Sequence, residues 1–172
     1  MGATIRRYRW SYAALIRFAV LGTVFVPCLG LATGRARAAT PAVAIVVNAS
    51  TPVDDLTLAE LRKVFLGDRQ FWGPGQRVVL LVRAPQAPER DVVLHSIYQM
   101  SEGQFRQYWI AKVFRAEITS GRKVVYSTDM TDELIPAIPG AIGFKMADKL
   151  KPGEKVLRIK GKLPGDPGYP LR

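Results

Sequence analysis

Short apolar runs alternate with segments of helical periodicity along this chain. Val43-Ala44-Ile45-Val46-Val47 and Val78-Val79-Leu80-Leu81-Val82 are nearly continuous apolar stretches. Runs of that length, closed by polar residues, predict strands covered on both faces. Between them Thr57 and Glu60 form a capping box, Leu58, Leu61 and Phe65 recur at helical spacing, and Gly67 stands where a left-handed C-cap belongs. That segment predicts a helix. After the second run a polar, proline-rich break, Arg83-Ala84-Pro85-Gln86-Ala87-Pro88, leads into a predicted helix from Glu89 to Met100. Ser101 with Gln104 then opens another, whose apolar stripe is Phe105, Tyr108, Trp109 and Val113.

The second half is less regular. Residues 115–123 turn polar and carry Gly121, which predicts an exposed loop, and Val124-Val125-Tyr126 predicts a short strand. Asp129 or Thr131 is placed to cap a brief helix through Ile135, with Pro136 weakening its interior and Pro139 ending it. Pro139-Gly140-Ala141-Ile142-Gly143-Phe144 reads as a tight turn into a strand, with glycines that permit close backbone approach. A last strand is predicted over Val156 to Ile159, followed by a Gly-, Pro- and Lys-rich tail, 161–172, expected to be loosely attached. Trp72, ahead of the turn Gly73-Pro74-Gly75, is expected to close the edge of the core. Strands alternating with helices predict an α/β fold of three layers around a mostly parallel sheet.

The N-terminus has a different pattern. Arg6, Arg7 and Arg9 precede an apolar stretch from Phe18 to Leu31, and Ala36-Arg37-Ala38 supplies a small-residue cleavage site. This reads as a signal peptide over 1–38, with the folded domain over 39–160. Pro27, Gly30 and Gly34 interrupt the apolar stretch and Arg17 shortens it below the roughly 20 residues of a membrane span. No stable span is therefore expected after processing. Arg6-Arg7 also admits twin-arginine export, though no Ser or Thr directly precedes the pair.

Processing changes the charge. The full chain carries +11, but the leader holds six of the 25 basic residues and no acidic ones, so residues 39–172 keep +5. That balance suits an anionic ligand, an anionic membrane surface or simple solubility. An exported chain without basic, aromatic-interleaved runs argues against nucleic acid. Cys28, the only cysteine, lies in the leader, so the exported part is free of thiol chemistry and is expected in a bacterial periplasm.

Catalytic chemistry finds no foothold. His95 is the only histidine, which excludes a multi-histidine metal site, and it reads as a surface residue. No Gly-x-Ser-x-Gly elbow or phosphate-cradling glycine motif occurs. Asp54-Asp55 and Asp132-Glu133 are adjacent carboxylates without the further oxygen ligands that a hard cation needs. No enzyme, metal or cofactor is expected.

The junction at Val78 to Leu94 is the candidate ligand site, because a strand feeding a helix N-terminus gathers backbone N–H groups at one point. Three pieces in order resemble the solute-binding proteins of phosphate ABC transporters. They are Leu56 to Gly67 with Trp72 after it, the strand ending in Arg83-Ala84, and Pro139 to Phe144. The resemblance spans roughly residues 43 to 146 and implies one lobe of a two-lobed periplasmic binding fold. It also implies that Arg83 is an inherited phosphate ligand. Where the family continues Asp-Gly-Ser-Gly-Thr, this chain has Pro85, Gln86, Ala87, Pro88 and Glu89, which removes both glycines, the hydroxyls and two N–H donors. Glu89 and Asp91 in the first helical turn would repel an anion, partly offset by Arg83 and Arg90. The candidate ligand-binding set is Arg83, Gln86, Ala87 and Arg90. The function expected is weak binding of a small anion such as phosphate; the alternative is a ligand-free module that recognises an envelope protein partner.

Overall fold

Every residue of β1 (Val43–Val47) is buried, as its unbroken apolar run requires. The computed structural model describes residues 42–118 and 122–172, all within one compact unit, Ala36–Arg172. β1 belongs to a five-stranded sheet with β5 (Val79–Arg83), β6 (Lys123–Val125), β7 (Ala141–Met146) and β8 (Lys155–Val156), in the order β6-β5-β7-β1-β8. β5 is parallel to β6 and β7, while β1 is antiparallel to β7 and β8. Four of the five strands therefore point the same way and β1 alone is reversed. This is the α/β, mostly parallel sheet that the pattern predicts.

Alternation along the strands divides the core. Leu80, Val82, Ile142 and Phe144 pack into the larger cluster with α1 (Leu58–Phe65) and the helices after β5. Leu81, Ala141, Val46 and Val125 face the other way, against Ile135 of α4 (Thr128–Ala137). Helices thus cover both faces of the sheet, giving three layers.

The predicted caps are present where local sequence specifies them. Thr57 and Glu60 close their box at α1, and Gly67 follows the helix at φ 74°. α2 (Pro88–Val93) continues into a π-turn, Leu94–Tyr98, ended by Gln99 at φ 55°. Ser101 and Gln104 then open α3 (Glu102–Phe114) with a second capping box. Phe105 and Trp109 of α3 are core as expected, but Val113 is 62% exposed. Lys112 is buried instead, its ammonium 2.9 Å from the carbonyl of Leu66 and 2.5 Å from Asp68. The inward face follows 105, 109 and 112, and position 113 lies roughly 75° round from its centre.

At α4 the cap is Ser127, which accepts from the N–H of Met130, rather than Asp129 or Thr131. Thr131 is buried and donates to the carbonyl of Ser127 at 3.2 Å. Pro136 is tolerated in the last turn, where the amide of Asn48 donates to the carbonyls of Ile135 and Pro136 at 2.9 and 3.0 Å. A side chain from the β1 end thereby satisfies carbonyls that the helix leaves open.

β3 (Phe71–Gly73) and β4 (Gln76–Arg77) form a hairpin around the predicted turn. Trp72 is buried and donates through Nε1 to the carbonyl of Gly140 at 2.9 Å. Gly140 sits at φ 76°, and a Cβ there would stand 2.1 Å from the carbonyl oxygen of Arg77. The predicted last strand is split at Leu157 into β8 and β9 (Arg158–Ile159), and β9 pairs in parallel with β2 (Asp55–Leu56).

The tail corrects an expectation. Residues 161–172 are not loosely attached: Tyr169 and Leu171 are buried, and Tyr169 donates its hydroxyl to the carbonyl of Val43 at 2.8 Å. Glycines at positive φ, Gly161, Gly165 and Gly168, turn the segment back onto β1. The predicted leader, 1–38, lies outside the described residues, as do 119–121 of the predicted loop.

Candidate functional site

Ligands in open α/β sheets gather at the carboxyl ends of parallel strands, and β5 ends at Arg83. The N–H of Ala84 donates to the carbonyl of Val125 at 2.8 Å, which holds the start of the following loop to β6. Ala87 is the N-cap of α2 and provides no side-chain acceptor, while Pro88 occupies the first turn. Pro85 and Pro88 have no N–H to offer an anion. The N–H groups of Ala87 and Arg90 are directed to the carbonyls of Ala84 and Ala87. Gln86 is exposed at the loop tip with φ 76°.

The two arginines of the candidate set are brought together, but each is engaged within the chain. Arg83 Nε donates to Glu89 Oε1 at 2.5 Å, and the two side chains are only 9% and 4% exposed. Arg90 donates to the carbonyl of Arg83 and holds Glu102 through both Nε and Nη2, each at 2.9 Å. Its guanidinium also lies 4.8 Å from the centre of the Phe105 ring. Arg90 is thus a clamp joining β5, α2 and α3. The fork of Arg90 on Glu102 is the bidentate geometry that makes arginine pairs directional.

A second buried cation stands on the neighbouring strand. Val79 and Leu80 of β5 register with Ala141 and Ile142 of β7, and the same offset sets Lys145 level with Arg83. Lys145 is fully buried and donates to Asp132 at 2.6 Å and to Glu154. The ammonium of Lys151 lies 2.6 Å from the other oxygen of Asp132, in ion-pair contact but off the hydrogen-bond axis. The carboxyl ends of β5 and β7 therefore carry two buried cations, each neutralised by carboxylates of this chain. One donor is left over: Arg83 Nη1 is buried without an acceptor among the described residues.

Sequence reasoning places Arg83, Gln86, Ala87 and Arg90 on one junction, and the structure does so too. It does not identify Glu89 as the partner of Arg83 or Glu102 as that of Arg90. The only available signal is the pairing of acidic and basic residues around a strand–helix break, which has no fixed spacing. His95 is exposed. Among the described residues no cluster of three or more His, Cys, Asp or Glu side chains is arranged to hold a metal, and no helix is long and apolar enough to cross a membrane.

No family model matches the sequence, and no curated protein matches it. Solved structures do. A protein assigned as a phosphate ABC transporter substrate-binding protein from Clostridium perfringens, crystallised with phosphate, superposes with a TM-score of 0.58 over 72% of this chain and 47% of its own, at 16% identity. An ABC-type phosphate transport receptor from Vibrio cholerae gives 0.58 over 72% and 48%, at 20% identity. This chain has the fold of one lobe of such proteins. It spans about half the length of each of these two structures. A phosphate-binding protein from Stenotrophomonas maltophilia matches over 40% of its length with a TM-score of 0.56 and 15% identity. These neighbours are binding proteins rather than enzymes.

Proposed function

We propose that this chain is an exported single lobe of the phosphate-binding kind that binds a small oxyanion only weakly, because Glu89 holds the ligand's place at Arg83. The buried Arg83–Glu89 pair carries this reading. A carboxylate tethered six residues away competes at an effective concentration of millimolar or more, so a free anion must displace it. Arg83 Nη1 is the donor left for that anion. The phosphate bound in the Clostridium protein supports an oxyanion as the ligand class, and the +5 charge of residues 39–172 agrees with it. Export to the periplasm is supported by the basic start, apolar stretch and Ala-x-Ala site of the leader.

Calorimetric titration of residues 39–172 with phosphate, sulfate and phosphonates tests this. The expected result is saturation only in the millimolar range, at least about tenfold tighter binding in Glu89→Gln, and loss of binding in Arg83→Ala. Micromolar affinity in the unaltered chain, or affinity indifferent to Arg83→Ala, would overturn it.

A second reading has its own observation. Tyr126 is exposed directly after β6, beside the carboxyl end of β5. This favours a ligand-free module that meets an envelope protein at that end of the sheet. A photo-crosslinker at position 126 that captures no periplasmic protein would count against it.

A further inference from the structure

A cleft of about 360 Å³ opens where the start of α1 meets the π-turn Leu94–Tyr98, with Lys160, the residue after β9, on its wall. Volumes of this size hold small molecules. None of Arg83, Gln86, Ala87 or Arg90 lines it. Its lining is mostly apolar, with Ile97 buried and Leu58 packed against the core. The polar groups that complete it offer donors. Arg62 donates to the side-chain oxygen of Gln99 and, at 3.1 Å, to the carbonyl of Tyr98. Neutral acceptors thus fix its guanidinium without cancelling its charge. Because the Gln99 oxygen is turned to Arg62, its amide N–H groups are what remains for a ligand.

Charge identifies what the cleft takes. Among the described residues, neither Arg62 nor Lys160 pairs with a carboxylate. The carboxylates of the adjoining segments are held by backbone N–H groups, Glu60 by Thr57 at 2.9 Å and Asp55 by Gly161 at 3.0 Å. No acidic residue lines the cleft. Backbone conformation marks the same two walls. Gln99 and Lys160 stand at φ 55° and 54°, in the left-handed region that glycine occupies most easily. A glycine would relieve both positions, yet both carry long, donor-bearing side chains into the lining. An inorganic anion would leave the apolar surface bare, and a neutral alcohol would leave two cations without a counter-charge. We infer that this cleft binds a small carboxylate with an apolar body, its head met by Lys160, Arg62 and the Gln99 amide and its body laid on Ile97 and Leu58. This inference does not rest on anion binding at Arg83.

Titration of the isotope-labelled unit Ala36–Arg172, which contains the whole described core, with hexanoate, hexanol and acetate tests it, the backbone amide resonances of Ile97 and Gln99 being followed by NMR. Hexanoate is expected to saturate these shifts with a Kd below about 1 mM. Hexanol, which lacks the charge, and acetate, which lacks the body, are each expected to bind at least about tenfold more weakly. Lys160→Gly is expected to weaken hexanoate at least about tenfold. Its thermal midpoint is expected to stay level or rise, since glycine relieves the left-handed backbone; a residue kept only for the fold would not separate the two readouts in that way. No saturation by about 10 mM hexanoate, hexanol binding as tightly as hexanoate, shifts confined to residues 83–90, or unchanged affinity in Lys160→Gly would each overturn the inference.

Discussion

The hydroxyl of Tyr169 donates to the carbonyl of Val43 at 2.8 Å, and the N–H of Val43 donates to the carbonyl of Leu171 at 3.0 Å. The chain's last residues thus close on its first strand. Truncation after Lys160 is expected to lose about 3 kcal/mol or more of stability, since it exposes the site of a buried Leu and a buried Tyr. Tyr169→Phe should cost about 1 kcal/mol, the net worth of one hydrogen bond. Urea denaturation of both variants checks the pair of values.

Glu89→Gln is expected to act in opposite senses on stability and affinity. It leaves Arg83 buried with no counter-charge, which costs about 3 kcal/mol, while it removes the internal competitor for an anion. Denaturation midpoints measured with and without phosphate separate the two effects, because added phosphate should recover more stability in Glu89→Gln than in the unaltered chain.

Gly140→Ala is expected to destabilise strongly, by about 3 kcal/mol or more, because it combines a positive φ with a Cβ 2.1 Å from the Arg77 carbonyl oxygen. Trp72→Phe removes only the Nε1 bond to Gly140 and some contact area, and should cost about 1–2 kcal/mol. Thermal unfolding of the two should rank them in that order.

Burial alone would raise Asp132, but the hydrogen bond from Lys145 and the positive charges of Lys145 and Lys151 outweigh it and hold its carboxyl below the usual value of 3.8. A group with a lowered folded pKa stabilises the fold above its unfolded value and loses that contribution as pH falls through the folded one. Stability from Asp132 should therefore be complete above about pH 5 and fade below about pH 4. Asp132→Asn is expected to cost about 2 kcal/mol at neutral pH and to flatten the acid limb of a stability–pH curve. An unchanged acid limb would rule out this assignment.

Much of the fold was determined by sequence acting over a few residues. Both capping boxes, the left-handed Gly67, the buried runs of β1 and β5, the turn at Gly140 and the core position of Trp72 follow from period, cap chemistry and steric rules within about one turn of chain. The strand, break and helix start at Arg83 to Pro88 were equally legible, because they adjoin in sequence. Tertiary structure decided what that site contains. Glu89 reaches Arg83 only because β5 and α2 fold back at the loop between them, and Lys145 finds Asp132 and Glu154 from two other elements. Tail composition could not reveal that Leu171 and Tyr169 meet β1 from more than 120 residues away. Nor could apolar periodicity tell Val113, facing solvent, from Trp109, facing the core, since helix rotation is set by the partner it packs against. Local rules set the elements, while burial and charge pairing between distant segments set which polar groups remain free to bind.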